Sequence, residues 1–517
     1  MKGSAAFRYV HLGALALAVV ALPWSEFLLS NALILLGVNW LAEGFAQRDL
    51  GGRFRRAFRD PACAVWLSFF GLHLLGLLWT TDLKWGTDLC RILLPVPILG
   101  LVLGSSPRLS TTELRNLLLL GAWSVVGSTL VCLLLRREAL TTGDYRSLSL
   151  FISHIRLALM LCFAAATFVY HWPVRALLRA AHAAAVLWIL VFLLLMGSVT
   201  GVVIGGALLG WAFFRYAKRW SPAVRAVLVA LPIAIVATII VALFLLPEPR
   251  TERLDALEPR SAGGEPYYHD REKPQLENGY FVWVNIADGE LERGWNRRSM
   301  VPYRGLDAQG LPLRTALVRY LTSMGLRKDS LGLAQLREAD VRRIEQGITS
   351  VRTGRVTTLQ TRLEQLRYEW EAYLSNGATS GHSTTMRLVF LRTGLDIARA
   401  NLLLGTGTGD TQMAFNAAYE RDPQGLEPRW WLRAHDQYLT WCISFGVPGL
   451  LWCLFAWWWP AWRLRAARQP LFVAWAIIAA LSGLAEDTLE TQMGATFAAL
   501  PYALLVFAAP LMPRSKP

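Results

Sequence analysis

Twelve predominantly apolar runs, most of them near 20 residues, recur along the chain at roughly 9–24, 27–44, 62–80, 91–104, 116–135, 150–170, 181–197, 199–214, 225–246, 436–459, 470–485 and 491–512. A helix of about 20 residues crosses a hydrocarbon core about 30 Å thick, and no other open structure satisfies its backbone hydrogen bonds there. The chain is 54% hydrophobic with 22 tryptophans, which excludes an ordinary soluble enzyme. The fold class expected is an all-α polytopic membrane protein with about 12 transmembrane helices. The fourth and eleventh runs are short, and "LLLMGSVTGVV" leaves the seventh and eighth almost touching. The basic start "MKGSAAFR" imitates a signal peptide, but Pro23-Trp24 follows the first run where a small-residue cleavage site would stand, so that run is expected to remain as an anchor.

Lys and Arg stay on the cytoplasmic side of short loops. With a cytoplasmic N-terminus, the inner loops hold 20 basic residues, including Lys2, Arg8, Arg48, Arg53, Arg55, Arg56 and Arg59, against 5 on the outer face: Lys84, Arg91, Arg136, Arg137 and Arg146. The expected orientation therefore has both termini cytoplasmic and the large hydrophilic segment on the outer face. The net charge of +15 reflects this asymmetry, because segment 247–434 holds 26 basic and 24 acidic residues and is nearly neutral. No nucleic-acid partner is expected.

Three regions follow: spans one to nine over 1–246, a loop domain over 247–434, and spans ten to twelve over 435–517. The loop domain is far longer than a connection requires. All six cysteines lie in or beside spans and none in the loop domain, so no disulfide framework or cysteine-based zinc site is available there. "GYFVWVNI" alternates like a short strand, and from about 311 the pattern is helical. "TTLQTRLEQLRYEWEAYL" places Leu359, Leu363, Leu366, Trp370 and Tyr373 on one stripe, the pattern of a packed surface helix. "MRLVFLRTGLDIARANLLLG" does the same with Leu388, Leu391, Leu395, Ala398 and Leu402, opposite Arg392, Asp396 and Arg399, which suits a lipid surface or the mouth of the bundle. It closes in "GTGTGD", where Gly405, Gly407 and Gly409 either cap the helix or bring backbone amides to a phosphate.

Three features can carry chemistry. His435 begins the tenth span behind Trp430 and Trp431, at head-group level, where a neutral imidazole can take a proton from a hydroxyl or simply bond a neighbouring loop. Arg156 is the one Lys or Arg within an expected span, about two turns from the outer surface, and it either snorkels or meets an anion inside the bundle. Glu486 and Glu490, in "LAEDTLETQMG", share a helical face and either orient the histidine, bind a sugar hydroxyl or remain solvated. No His/Asp/Glu cluster shows metal-ligand spacing, so neither metal nor cofactor is expected.

These pieces resemble the O-antigen ligase and O-antigen polymerase family of bacterial membrane glycosyltransferases. The family's histidine motif is His, a small polar residue, nine residues, Gly, two residues, then Gly, Thr or Tyr. Here it reads His435-Asp436, nine residues, Gly446-Val447-Pro448-Gly449. "ENGYFVWVNIADGELERGWNRRS", "TALVRYLTSMGLRKDSLGL" and "EDTLETQMG" look like a branch common in Bacteroidetes-type bacteria, and the likeness covers about 276–497.

The resemblance implies a GT-C-like fold and transfer of a glycan from undecaprenyl diphosphate to a hydroxyl on lipid A-core, without a metal, a cofactor or a nucleotide sugar. It places His435 where the family has its essential histidine, the base for the acceptor hydroxyl, and Arg387 where an arginine binds the lipid diphosphate. Asp436 departs from the usual Asn, Ser or Gln. The family's other arginine, between spans seven and eight, is missing from Gly197-Ser198-Val199-Thr200. Arg156 is the candidate to replace it, with Arg392, Arg399 and Arg433 as alternatives. The rival readings are a polymerase, whose acceptor is another undecaprenyl-linked glycan, and a polysaccharide transporter or flippase, which would favour internal repeats.

Overall fold

The computed structural model describes residues 2–137, 139, 145–216, 221, 257–270, 276–277, 280–308, 310–351, 383–424 and 426–511. They form two compact units, one drawn from 1–137, 146–228 and 379–517, the other from 138–145 and 229–378.

The first unit is all helical. Its elements are α1 (Lys2–Ala21), α2 (Glu26–Ala46), α3 (Leu50–Arg59), α4 (Pro61–Leu75), α5 (Leu83–Ile92), α6 (Pro95–Ser105), α7 (Thr111–Leu135), α8 (His154–Tyr170), α9 (Ala176–Leu195) and α10 (Val199–Tyr216). Among the described residues, six helical stretches are long and apolar enough to cross a membrane, and shorter apolar helices accompany them. The expected ninth span, 225–246, lies outside the described residues. The expected fourth span begins earlier, at Leu83, and is two helices end to end. Pro95 and Pro97 have no N–H to donate, so the chain turns through Leu93-Leu94 before α6 resumes.

Local chemistry sets the ends. Ser110 and Glu113 form a capping box at the start of α7, and the Glu113 carboxylate also accepts two 2.9 Å bonds from Arg8 of α1. Asp60 accepts from Ala62 N at 3.0 Å, with Pro61 pre-set for the first position of α4. In lipid, helices associate through close packing, and here aromatic rings supply much of it. Trp66 stacks on Tyr502 at 5.2 Å, and Tyr502 meets Trp457 and Trp475 edge-on at 5.3 Å each.

The second unit carries α11 (Asp288–Trp295), α12 (Leu313–Ser323), α13 (Ser330–Ala334) and α14 (Glu338–Glu345) around a core of Trp295, Leu317, Tyr320, Leu321 and Ile344. Its carboxylates are met by several donors each. Half-exposed Asp288 takes Arg314 through two bonds of 2.7 and 2.8 Å, and buried Glu290 accepts from Ser261 and Ser330, as burial demands. The strand expected in "GYFVWVNI" is reduced to a two-residue pairing, β1 (Leu276–Glu277) with β2 (Tyr280–Phe281). Beyond Phe281 the apolar residues enter the core through turns: Val282, Val284 and Ile286 are all buried. The helix expected at Leu359–Tyr373 lies outside the described residues.

The chain returns to the first unit as α15 (Ser383–Ala400) and α16 (Thr411–Arg421), followed by α17 (Gln437–Arg463), α18 (Pro470–Gly483) and α19 (Gln492–Ala503). α4 runs against α17, and α15 lies against both α16 and α17.

Candidate active site

The site is built on a break in α17. Gly446 has φ 67° and ψ −176°, a conformation open only to glycine, and Pro448 two residues on has no N–H. Together they orphan the carbonyls of Ile443 and Ser444 and divert the amide of Val447. The Gly-rich turn after α15 takes up all three. Thr406 N donates to Ile443 O at 2.8 Å, Gly407 N to Ser444 O at 2.9 Å, and Val447 N to Leu402 O at 2.8 Å. A Cβ on Gly405 would stand 2.3 Å from Phe445 N, so the backbones meet only because the side chain is absent. The same turn locks onto the start of α5, where Asp410 accepts from Thr81 N and Asp82 N at 2.8 and 2.7 Å.

Of the two roles open to Gly405, Gly407 and Gly409, these bonds match the cap. Their amides are bonded to Asn401 O, Ser444 O and Thr80 Oγ1 respectively, so the turn is a packing joint.

The first turn of α17 is tied to α18 and to the loop that follows it. Gln437 Oε1 accepts from Leu489 N at 2.8 Å, Thr440 donates to Asp487 at 2.7 Å, and Tyr438 donates to Ala480 O at 2.9 Å. Arg433 forms a buried ion pair with Glu490 and lies over the Trp85 ring, 5.6 Å from its centroid. Asp436 caps α17 by accepting from Leu439 N at 2.8 Å. Arg433, Glu490 and Asp436, expected among the substrate contacts, are thus engaged in holding the chain.

These ties leave His435 half-buried in the left-handed region at φ 51°, unusual for a non-glycine residue. Its ring lies 6.1 Å from that of Phe390 on α15. Glu486, fixed by the same loop, receives Arg387 of α15 at 3.3 Å. Burial raises the Glu486 carboxyl, against the charges of His435, Arg387 and Arg156, which hold it down; neighbouring Asp487 adds to the rise. Arg387 thus contacts this carboxylate directly, and the charges of His435 and Arg156 act on it from two other segments of the chain.

Arg156 stands nearer the start of its helix than expected. α8 begins at His154, which puts Arg156 in the first turn of the helix. Its counter-charge is also within the protein, since Glu486 and Glu26 both act on it.

α15 packs on protein through another stripe. Its buried residues are Met386, Val389, Phe390, Thr393, Ile397 and Ala398, set against Phe415, Tyr419, Leu439 and Ile443. Leu388, Leu391, Leu395 and Leu402, expected on a stripe suited to a lipid surface or the mouth of the bundle, are exposed, while Ala398 of that stripe is buried. The helix is apolar on two faces, and protein covers one of them. Arg392 and Arg399 are exposed beside the leucines, Arg399 pairing with Asp396 at 2.9 Å, and neither joins the Glu486 group. Sequence reasoning missed Phe390, Asp410 and Asp487; "GD" after the glycines and "ED" before Thr488 were the signals available.

Comparison with known proteins agrees with this architecture. The profile of the family described as O-Antigen ligase matches residues 184–454, more than half of the chain. It takes in Arg387, the Gly-rich turn, His435 and Gly446, while Arg156 and Glu486 lie outside it. No match is found among curated proteins. This multi-pass membrane protein belongs to the O-antigen ligase family, a family of membrane glycosyltransferases.

Proposed function

We propose that the protein moves a glycan from undecaprenyl diphosphate to a hydroxyl of lipid A-core, or of a related acceptor, at the periplasmic face of the bacterial inner membrane, by a metal-independent, inverting displacement. The observation that carries this reading is the ion pair of Arg387 with Glu486, a carboxylate on which the charges of His435 and Arg156 also act.

In the resting site Glu486 acts as a stand-in anion for the two arginines. A diphosphate carries more charge, and a guanidinium grips two of its oxygens at once. Arg387, exposed and paired at a long 3.3 Å, is free to exchange Glu486 for it. The released carboxylate then faces His435. The acceptor O–H gives its proton to the imidazole as its oxygen bonds to the anomeric carbon. The bond from that carbon to the diphosphate oxygen breaks on the opposite side, and the diphosphate leaves with the electron pair. Arginines stabilise the charge that grows on it. Both substrates are lipid-anchored, which accounts for a base at the outer end of a membrane helix.

The test is transfer by purified protein from a lipid-diphosphate glycan in excess EDTA, with the anomeric configuration of the product read by NMR. Undiminished turnover with inversion is expected. Turnover that stops on chelation and returns with Mg²⁺ would sink the arginine mechanism, and retention would sink the single displacement. Lipid A-core accepted in place of a second lipid-linked glycan separates ligase from polymerase. A reporter after Ala378 should be periplasmic and one after Arg465 cytoplasmic.

A further inference from the structure

α3 lies between α2 and α4, at the end of the bundle where α1 begins and α6 ends, and its three faces have different chemistry. Arg53 and Ala57 are buried against the bundle. Arg53 is consumed there, bonding Trp40 O at 2.9 Å and pairing with Glu43 at 2.7 Å. This contact fixes the rotation of the helix. At about 100° per residue, Phe54 and Phe58 then form a stripe beside the buried face, and Arg55 and Arg59 form a second stripe further round. Both phenylalanines are exposed, 36% and 58%, and Phe45 at the end of α2 is 69% exposed. Among the described residues, ion pairs take up Arg53 and Arg56 but neither Arg55 nor Arg59, and both of these are exposed.

A soluble surface would not keep three phenylalanines in water beside two unpaired cations. A bilayer surface accommodates both, with rings in the acyl boundary and guanidiniums on phosphates. We propose that α3 is a binding site for anionic phospholipid at the cytoplasmic surface of the membrane, gripped by Arg55 and Arg59 and seated by Phe54 and Phe58. The site is independent of the glycosyl-transfer chemistry proposed above.

Native mass spectrometry of the full-length protein, exchanged from detergent into mixed phosphatidylglycerol and phosphatidylcholine micelles, tests this. Wild type should retain phosphatidylglycerol preferentially. Arg55→Gln/Arg59→Gln should cut that preference on the order of tenfold, while Arg55→Lys/Arg59→Lys should keep most of it. Phe54→Ser/Phe58→Ser should weaken retention of the lipid, and water-soluble glycerophosphoglycerol should not compete. Equal retention of the two lipids by wild type, an unchanged preference in Arg55→Gln/Arg59→Gln, or effective competition by the soluble head group would overturn the proposal.

Discussion

Gly446→Ala perturbs the joint on which the site rests, and its cost can be worked from the backbone. At φ 67° and ψ −176° an alanine occupies a region reserved for glycine, which costs about 1–3 kcal/mol. Its Cβ would also stand 2.5 Å from the carbonyl oxygens of both Leu402 and Leu403. These are backbone atoms and cannot rotate away, so overpacking adds about 1–3 kcal/mol. Retreat of the 402–407 turn would relieve the clash but break the three bonds that satisfy the helix break, each contributing about 0.5–1.5 kcal/mol. The total is about 2–6 kcal/mol, and His435 should lose its setting along with the fold. The assay is thermal unfolding of purified protein in detergent, followed by tryptophan fluorescence. Gly71→Ala is the control, since a Cβ there meets nothing within 4 Å. A clear fall in the midpoint for Gly446→Ala and none for Gly71→Ala is expected; equal midpoints would refute the reasoning.

Arg433→Ala strands Glu490, 4% exposed, as a buried charge, and should destabilise by about 3–5 kcal/mol; Arg433→Met with Glu490→Gln should recover much of that in the same unfolding assay. Glu486→Gln should move stability and activity in opposite directions. Because the folded carboxyl titrates above its unfolded value, its ionised form costs stability at neutral pH. The variant should therefore unfold at or above wild type at pH 7.5. The gap should close as pH falls through the raised folded value toward 4.5, while turnover at pH 7.5 drops. Arg156→Ala should lower kcat/KM by about 2–4 kcal/mol in transition-state terms, with Arg156→Lys between it and wild type, measured at equal protein abundance. A wild-type kcat/KM for Arg156→Ala would leave that residue a snorkelling cation.

The spans were legible because length and apolarity alone decide what a bilayer accepts. His435 and Arg387 stand as candidates through a family resemblance, and Arg156 through the cost of a cation among apolar residues. The partner of Arg156 was not legible, because Glu486 lies about 330 residues later and only the fold brings them together. Periodicity located α15 but could not say which of its two apolar faces meets protein. The glycines after it left cap and phosphate cradle both open, because two of their acceptors, Ser444 O in the helix break and Thr80 Oγ1 before α5, are brought in only by the fold. α3 read as a run of loop charge for a similar reason: which arginine is buried depends on Trp40 and Glu43, on the helix before it.

The most direct test of the central claim is single-turnover transfer by purified His435→Ala, with a fluorescent lipid-diphosphate glycan and excess acceptor. One half-buried imidazole contributes little to the bundle, so the thermal midpoint and donor retention should match wild type. The transfer rate should fall about 10²–10⁴-fold, the range for loss of a positioned general base. Transfer within tenfold of wild type, at equal donor occupancy, would contradict the account and remove His435 from the chemistry.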